Sequence, residues 1–371
     1  MRIAQVAPSF YPRIGGVETH VRRLAQGCAE AGEQLTVITH QLGTAPAEEW
    51  IGKVRVLRFP LAVSSRNYPV SPAMFRYLKS HAADFDVVHG HNYHSIVGHA
   101  AVGSRLPFVF TPHYNATGHT WFRTRLHRLY RRFGARQFAA AEVVICVSDA
   151  ERERLIRDFP DAAVKMVTIP NGTDPKLPVS GQKVIQTDMP VLLIVGRLER
   201  YKNVDLVINA FRALPHEATL VVVGDGPDMA RLERHVRAIG PGWPIHFTGR
   251  VPGPMLDDLF AQASVVTSAS DHEAFGLTLA EGLASGARVV ASAIPAHADL
   301  ARRTGAGSLV ALVDPRNTRQ FTEKLGASLL AGRVQAGEVK LPSWTDIVED
   351  TLELYSRITM EKRLAWRREA V

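Results

Sequence analysis

The chain has 371 residues, of which 46% are hydrophobic, 22% charged and 8% aromatic, enough apolar material for two cores at about 150 residues per domain. This balance excludes a disordered tail, a low-complexity fibre and a small stapled scaffold. The net charge of +8 is unevenly spread: residues 1–175 hold 21 Lys+Arg against 14 Asp+Glu, and residues 176–371 hold 23 against 22. The first half therefore faces something anionic, with nucleic acid, a membrane surface and a phosphorylated substrate as candidates.

The first segment, MRIAQVAPSFYP, is interrupted by Pro8 and Pro12 and lacks the apolar core of a secretion signal. No stretch approaches the roughly 18 apolar residues of a membrane span. Cys28 and Cys146 lie far apart without CxxC spacing, which argues against a zinc module and a disulfide framework. Together these features lead us to expect a cytoplasmic protein.

In chain order, Arg2 to Ala7 reads as a strand, Gly15 and Gly16 as a loop, Val17 to Ala31 as a helix and Leu35 to Thr39 as a second strand, a βαβ unit that predicts a parallel sheet. Further strands are predicted at Val54 to Phe59, Asp86 to His89, Phe108 to Thr111, Val143 to Val147 and Val167 to Ile169. The stretch from Pro170 to Pro190 is dense in Pro, Gly, Asn, Asp and Ser and reads as a linker.

A second α/β series follows. Its strands are predicted at Val191 to Val195, Thr219 to Val223, Ile245 to Thr248, Val265 to Thr267, Arg288 to Ala291 and Ser308 to Val313, with helices such as Val204 to Leu214 and Met255 to Ala263. After Pro342, the residues Trp344, Ile347, Val348, Leu352, Leu354 and Tyr355 form a helical apolar stripe with Ser343 or Thr345 as its cap. The expected fold class is α/β: two Rossmann-like doubly wound domains, 1–175 and 176–342, facing across a cleft, with a helical segment 343–371 directed back toward the first domain.

Two segments carry the chemistry. At Gly196 a strand ends in GRLERYKN, placing Arg197 and Lys202 where cations can neutralise a pyrophosphate. In DHEAFGLTLAEGLASG, Glu273 lies in a Ser/Asp-rich loop before Gly276, Leu277 to Ala284 reads as a helix, and Glu281 sits on that helix eight positions after Glu273. At about 100° per residue the two carboxylates fall roughly on one side if the geometry is helical throughout. Free amides around Phe275 to Leu277 would offer donors to an anion or to sugar hydroxyls, and a carboxylate can accept two hydroxyl hydrogen bonds at once.

These residues lead to a family. Glu273 and Glu281 in their AFGLTLAEGLASG setting resemble the signature of family-4 retaining glycosyltransferases of the GT-B fold. PSFYPRIGGVETHVRRLA, DVVHGH, VSDAERERL, IPNGTD, VGRLERYKN, VVVGDGPD and FTGRV agree in order along the chain. The resemblance implies that a nucleoside-diphosphate sugar is the donor and that no metal cofactor is needed. It assigns Arg197 and Lys202 to the diphosphate, Glu281 to the ribose, and the backbone near Arg250 and Val251 to the base. Glu273 and the amides of Phe275, Gly276 and Leu277 would hold the sugar hydroxyls. Gly15 and Gly16 would let the next helix approach the donor phosphate, and His113, in TPHYNATGH, would face the sugar.

Competing readings stay on the table at this level. Asp84 and Asp86 form a DxD that imitates a divalent-ion site, and His89, His91 and His94 imitate a zinc cluster, yet both are weaker than the reading with no metal. Neither IGGVE nor GDGPD supplies the GxGxxG of a dinucleotide oxidoreductase. Trp121 to Phe138 carries six Arg and no Asp or Glu beside the apolar Phe122, Leu126, Leu129, Tyr130 and Phe133. That helix either packs on the first domain or lies on an anionic membrane surface at the inner face; no nucleic-acid module accompanies it.

The expected function is a retaining hexosyltransferase, with a GT-B nucleotide-sugar epimerase or a peripheral sugar-binding protein without turnover as the alternatives. The acceptor is left among a glycan, a lipid-linked sugar, a phosphoinositide and a small metabolite. Base, sugar and linkage are not fixed by these residues. The loops expected to vary with acceptor are Ser9 to Arg13, Ser64 to Pro72 and His113 to Trp121.

Overall fold

The computed structural model describes residues 1–63, 70–104, 106–114, 121–179, 183–215, 217–240 and 242–369, leaving out the side chains of 121–129, 363 and 365–369. Much of two expected acceptor loops, 64–69 and 115–120, lies outside the described residues. The chain forms two compact units, Met1–Gly172 with Pro342–Val371, and Thr173–Leu341.

Unit 1 runs β1 (Arg2–Val6), α1 (Gly16–Glu30), β2 (Gln34–His40), β3 (Glu48–Ile51), β4 (Val54–Phe59), α2 (Pro72–Ser80), β5 (Val87–His91), α3 (Val97–Val102), β6 (Phe108–Thr111), α4 (Trp121–Ala140), β7 (Val143–Cys146), α5 (Asp149–Asp158) and β8 (Met166–Thr168). Its sheet has the order β3-β4-β2-β1-β5-β6-β7-β8. Strand alternation sends Ile3, Val37, Val87 and Val109 to one face and Ala4, Ile38, Val88 and Phe110 to the other. Both faces are buried, as parallel sheets require.

β3 was not predicted, because EEWI carries two charges in four residues. It pairs antiparallel with β4 as an edge hairpin, and a short charged edge strand discourages pairing with another chain.

Unit 2 runs β9 (Val191–Val195), α6 (Val204–Arg212), β10 (Thr219–Val223), α7 (Met229–Ile239), β11 (Ile245–Gly249), α8 (Gly253–Gln262), β12 (Val265–Ser268), α9 (Leu277–Ala284), β13 (Arg288–Ser292), α10 (Pro295–Thr304), β14 (Val310–Val313) and α11 (Thr318–Ala331). Its sheet is parallel, ordered β11-β10-β9-β12-β13-β14. Both units are Rossmann-like, and the strand order reverses beside β1 in the first and beside β9 in the second. Loops leaving the carboxyl ends of strands at such a reversal splay apart and leave room for a ligand. In unit 2 the β9–β12 register ends at Leu193 and Val266, so the last residues of both strands already diverge.

The final helix, α12 (Trp344–Glu369), belongs to unit 1. It starts with a reciprocal cap: Asp346 N donates to Ser343 Oγ at 3.1 Å, and Ser343 N donates to Asp346 Oδ2 at 2.7 Å. Of the two candidate caps, Ser343 serves. Trp344, Ile347, Val348, Leu354, Tyr355 and Ile358 join Val21, Leu24, Ala25 and Cys28 of α1 in one core. Gly27 allows this approach, since a Cβ there would stand 2.4 Å from Val348 Cγ2. Among the described residues, no helix is long and apolar enough to cross a membrane.

Candidate active site

In unit 2 the loops after β9 and β12 converge at the strand-order reversal. Gly196 has φ +152 and Gly224 φ +130, and a Cβ on Gly224 would lie 1.9 Å from the Gly196 carbonyl oxygen. Only glycine permits the ends of β9 and β10 to come this close. Asp271 N donates to the Tyr201 carbonyl at 2.8 Å, Asn203 Nδ2 donates to the Ala269 carbonyl at 3.0 Å, and the Tyr201 and His272 rings stack 4.4 Å apart. The two motif loops are thus laced together.

Lys202 and Glu273 meet there as a direct ion pair. Ser270 Oγ also donates to Glu273 Oε1 at 2.8 Å. Burial by itself would raise the Glu273 pKa, but the charges of Lys202 and His297 and the hydrogen bonds from Lys202 and Ser270 outweigh it, and the net shift is downward. Burial opposes the Lys202 charge, and Glu273 more than offsets it, so the ammonium pKa is raised. Both groups are held charged at neutral pH. Arg197, half-exposed, is paired with Glu199 at 3.1 Å.

Glu273 lies in the loop before α9 and Glu281 lies on α9, as the sequence places them. Gly276, at φ +94, is the N-cap of α9, so the geometry is not helical throughout and the condition for placing the two carboxylates on one side by helical spacing is not met. A left-handed residue between them breaks the 3.6-residue period. Glu281, on α9, lies 3.7 Å from Lys176 Nζ, which is also 3.3 Å from Asp257. No side chain caps α9, and its first amides, beginning at Leu277, have no acceptor within the helix. Phe275 is buried. Arg250 and Val251 follow β11, and Arg250 stands 3.9 Å from Asp225 with both side chains exposed, a contact worth little.

Ser270, Lys176, Asp257 and His297 were missed by sequence reasoning. Ser270 carries a weak signal in the SASDHE loop, and Lys176 in the IPNGTDPK run. Nothing in the local sequence marks His297, which is buried, holds the Ser292 carbonyl through Nδ1 at 2.9 Å, and lies against Gly276.

In unit 1, Gly15 is the N-cap of α1 in an extended conformation, and Gly16 has open space around its Cα. Neither needs a left-handed backbone. His113, just after β6, does adopt one, at φ +46, a conformation that costs a non-glycine residue about 1–3 kcal/mol. Glu151 of α5 holds this turn by accepting the amide hydrogens of Tyr114 and, at 2.6 Å, Val147.

His113 belongs to a histidine cluster. Its ring lies 4.9 Å from His20 of α1 and 5.9 Å from His91 of β5. All three are buried. Burial lowers the His20 pKa to about 4 and holds His91 and His113 well below the usual imidazole value, so the rings are neutral.

The expected zinc imitator is therefore regrouped. His89 is occupied by Tyr355 Oη at 2.5 Å and Thr111 Oγ1 at 2.7 Å, and His94 stacks on Tyr114; of the three, only His91 joins His20 and His113. Of the DxD, Asp86 holds the Arg2 backbone and guanidinium at 2.8 and 3.1 Å. Tyr130 and Phe133 of α4 are described and lie 5.8 Å apart. Its side chains from Trp121 to Leu129, which include three of the six arginines, lie outside the described residues.

Comparison with known proteins identifies the family. The model of Glycosyltransferase Family 4 matches residues 14–177, and that of Glycosyl transferases group 1 matches 179–331. The chain is 30% identical to the GDP-mannose-dependent alpha-(1-6)-phosphatidylinositol dimannoside mannosyltransferase of Mycobacterium tuberculosis, over 79% of each protein. It is 24% identical to the phosphatidylinositol N-acetylglucosaminyltransferase GPI3 subunit of Saccharomyces cerevisiae, over 96% of this chain and 83% of that one. Among solved structures, sucrose-phosphate synthase from Thermosynechococcus elongatus superposes with a TM-score of 0.73 at 20% identity, covering 99% of both chains. The chain thus belongs to the GT-B-fold glycosyltransferases of the family 4 and group 1 type, enzymes that act on a nucleoside-diphosphate sugar.

Proposed function

We propose that this glycosyltransferase moves a hexose with retention of anomeric configuration, and without a metal at the diphosphate, to a hydroxyl of a phosphoinositide or related glycolipid. The observation that carries the reading is the Lys202–Glu273 pair at the strand-order reversal of unit 2. Breaking the bond between the anomeric carbon and the diphosphate leaves negative charge on the phosphate and oxocarbenium character on the sugar. Lys202 and Arg197 stabilise the first, as fixed charges aimed at a developing anion do. Glu273, held ionised, accepts hydrogen bonds from the sugar hydroxyls beside the same ammonium.

In this reading the free amides at the start of α9 donate to the sugar, Glu281 accepts the ribose hydroxyls, and the backbone at Arg250 and Val251 meets the base. His113 faces the sugar, and Gly15 and Gly16 leave the start of α1 clear for the phosphate. The acceptor oxygen bonds to the anomeric carbon on the face the phosphate leaves, and its proton passes to a departing phosphate oxygen, so no protein nucleophile is used. The acceptor class rests on two relatives whose names specify phosphatidylinositol substrates and on the surplus of cations in residues 1–175. The protein would act from the cytoplasm at the membrane surface.

The test is a panel of uridine, guanosine, adenosine and thymidine diphosphate sugars, with phosphatidylinositol as acceptor and chelator present, read by product mass and anomeric configuration. A retained linkage formed in chelator is the expected result. An inverted product, or turnover only on adding a divalent ion, would overturn the reading.

A further inference from the structure

We propose that His20, His91 and His113 form a three-imidazole site for a borderline divalent transition ion of the zinc or cobalt class. The three come from α1, β5 and the turn after β6, and one ring nitrogen from each lies within 4.8 Å of the others. His20 Nε2, both ring nitrogens of His91 and His113 Nε2 are buried without a hydrogen-bond partner among the described residues. Buried polar atoms are nearly always satisfied, and three rings that each hold an unpartnered nitrogen and bring one nitrogen apiece together call for a shared ligand.

The tautomer of His20 is fixed. Its Nδ1 faces Asn171 Oδ1 at 2.6 Å, and an amide oxygen can only accept, so Nδ1 carries the proton and Nε2 keeps its lone pair. A metal-binding imidazole anchored through its other nitrogen to an oxygen acceptor is the usual outer arrangement of such sites. The group contains no carboxylate. Neutral nitrogen donors suit zinc-like ions and disfavour magnesium and calcium, which take oxygen ligands.

Metal–nitrogen bonds of about 2.0–2.1 Å in a tetrahedron set neighbouring nitrogens roughly 3.4 Å apart, so the rings must rotate inward from their present spacing. Three protein ligands leave a fourth position for water or a hydroxyl. The three ligands all belong to unit 1, so the existence of the site does not rest on the donor reading; only its effect on turnover does. An ion held by His113 takes a side chain that the proposed function turns toward the sugar, and, as an inference resting on that reading, the ion is an inhibitor rather than a cofactor.

The experiment treats the full chain with chelator and then dialyses it against Co²⁺. The expected result is one retained equivalent, a tetrahedral ligand-field spectrum, and quenching of Trp344, whose ring lies 5.8 Å from His20. Trp344→Phe should lose the quenching and keep the spectrum, and His91→Phe should lose both. Zn²⁺ should displace Co²⁺ and lower glycosyl transfer at least tenfold.

No retained equivalent above that of the His20→Phe/His91→Phe double variant, or a pale octahedral spectrum, overturns the site. Should the histidine variants fail to fold, X-ray absorption on the wild-type chain decides, with three imidazoles on the ion as the required result. Binding without inhibition would leave the site standing and remove His113 from the sugar's contacts, so the two ideas fail separately.

Discussion

Lys202 Nζ and Glu273 Oε1 are in direct contact although 71 positions separate them in the chain. The pair joins the loop after β9 to the loop after β12, and each partner keeps the other charged where burial alone would discharge it. A cation and a carboxylate fixed side by side can divide one donor between them, phosphate to the first and hydroxyls to the second.

The two roles separate by mutation. Lys202→Met is expected to lower kcat by about 10²–10³, the usual loss of one charge-stabilising donor, and to destabilise unit 2 by leaving Glu273 unpaired. Lys202→Met combined with Glu273→Gln should recover most of the melting temperature and none of the activity. Recovery of both would show that the pair is structural.

The pair also sets a pH window. The Glu273 pKa is lowered in the folded chain, so its contribution is present above the ordinary carboxylate value of 4.5 and is lost as pH falls below it. The Lys202 pKa is raised, so its contribution is present below 10.5 and is lost as pH rises through the folded value. Stability of unit 2 should therefore plateau between these limits. Denaturant midpoints measured across pH should show a shallower acid limb in Glu273→Gln, and an unchanged limb would refute the assignment.

Glu281 is expected to act in binding. Glu281→Ala should weaken nucleotide affinity about tenfold, the loss of one charge-assisted hydrogen bond, with kcat nearly unchanged. Titration calorimetry with the free nucleoside diphosphate and a KM-against-kcat comparison check this. A fall in kcat at constant KM would move Glu281 into the chemical step.

Gly276 tests the loop itself. Gly276→Ala places a Cβ 3.2 Å from the His297 ring at φ +94, and should cost about 1–2 kcal/mol of stability. The strain falls on the turn that aims Glu273 and the α9 amides, so the KM for donor should rise as well. Thermal melts with and without donor measure the two effects.

The last helix is a stability element with a polar contact to the histidine strand. Tyr355→Phe removes the bond to His89 and should cost about 1 kcal/mol. Gly27→Leu should cost more, about 1–3 kcal/mol, because Val348 already fills the space above Gly27. Chemical denaturation followed by aromatic signals from unit 1 should register both losses.

Much of this protein is set by local patterns. Val191 to Val195 and Leu277 to Ala284 have the lengths, periods and flanking glycines of a strand and a helix, and both form where the pattern places them. The pairs of apolar strands and amphipathic helices specify two sheets that are parallel apart from the β3 edge, and the GRLERYKN and EAFGLTLAEG segments specify where cations, carboxylates and free amides leave them. These features are carried by residues close in sequence, whose spacing alone fixes their relative direction.

The tertiary structure decided the rest, because the rest depends on contacts between residues far apart in sequence. Lys202 meets Glu273 only because the strand order reverses beside β9, and Lys176 reaches Glu281 only through the packing of α9. His20, His91 and His113 have no common motif and converge because α1 starts after β1 where the neighbouring parallel strands β5 and β6 end. The stripe on α12 is legible from Trp344 to Tyr355, and the expected fold directs it toward the first domain, yet that α1 covers it shows only in the packing, since an apolar face records that it is covered and says nothing of what covers it.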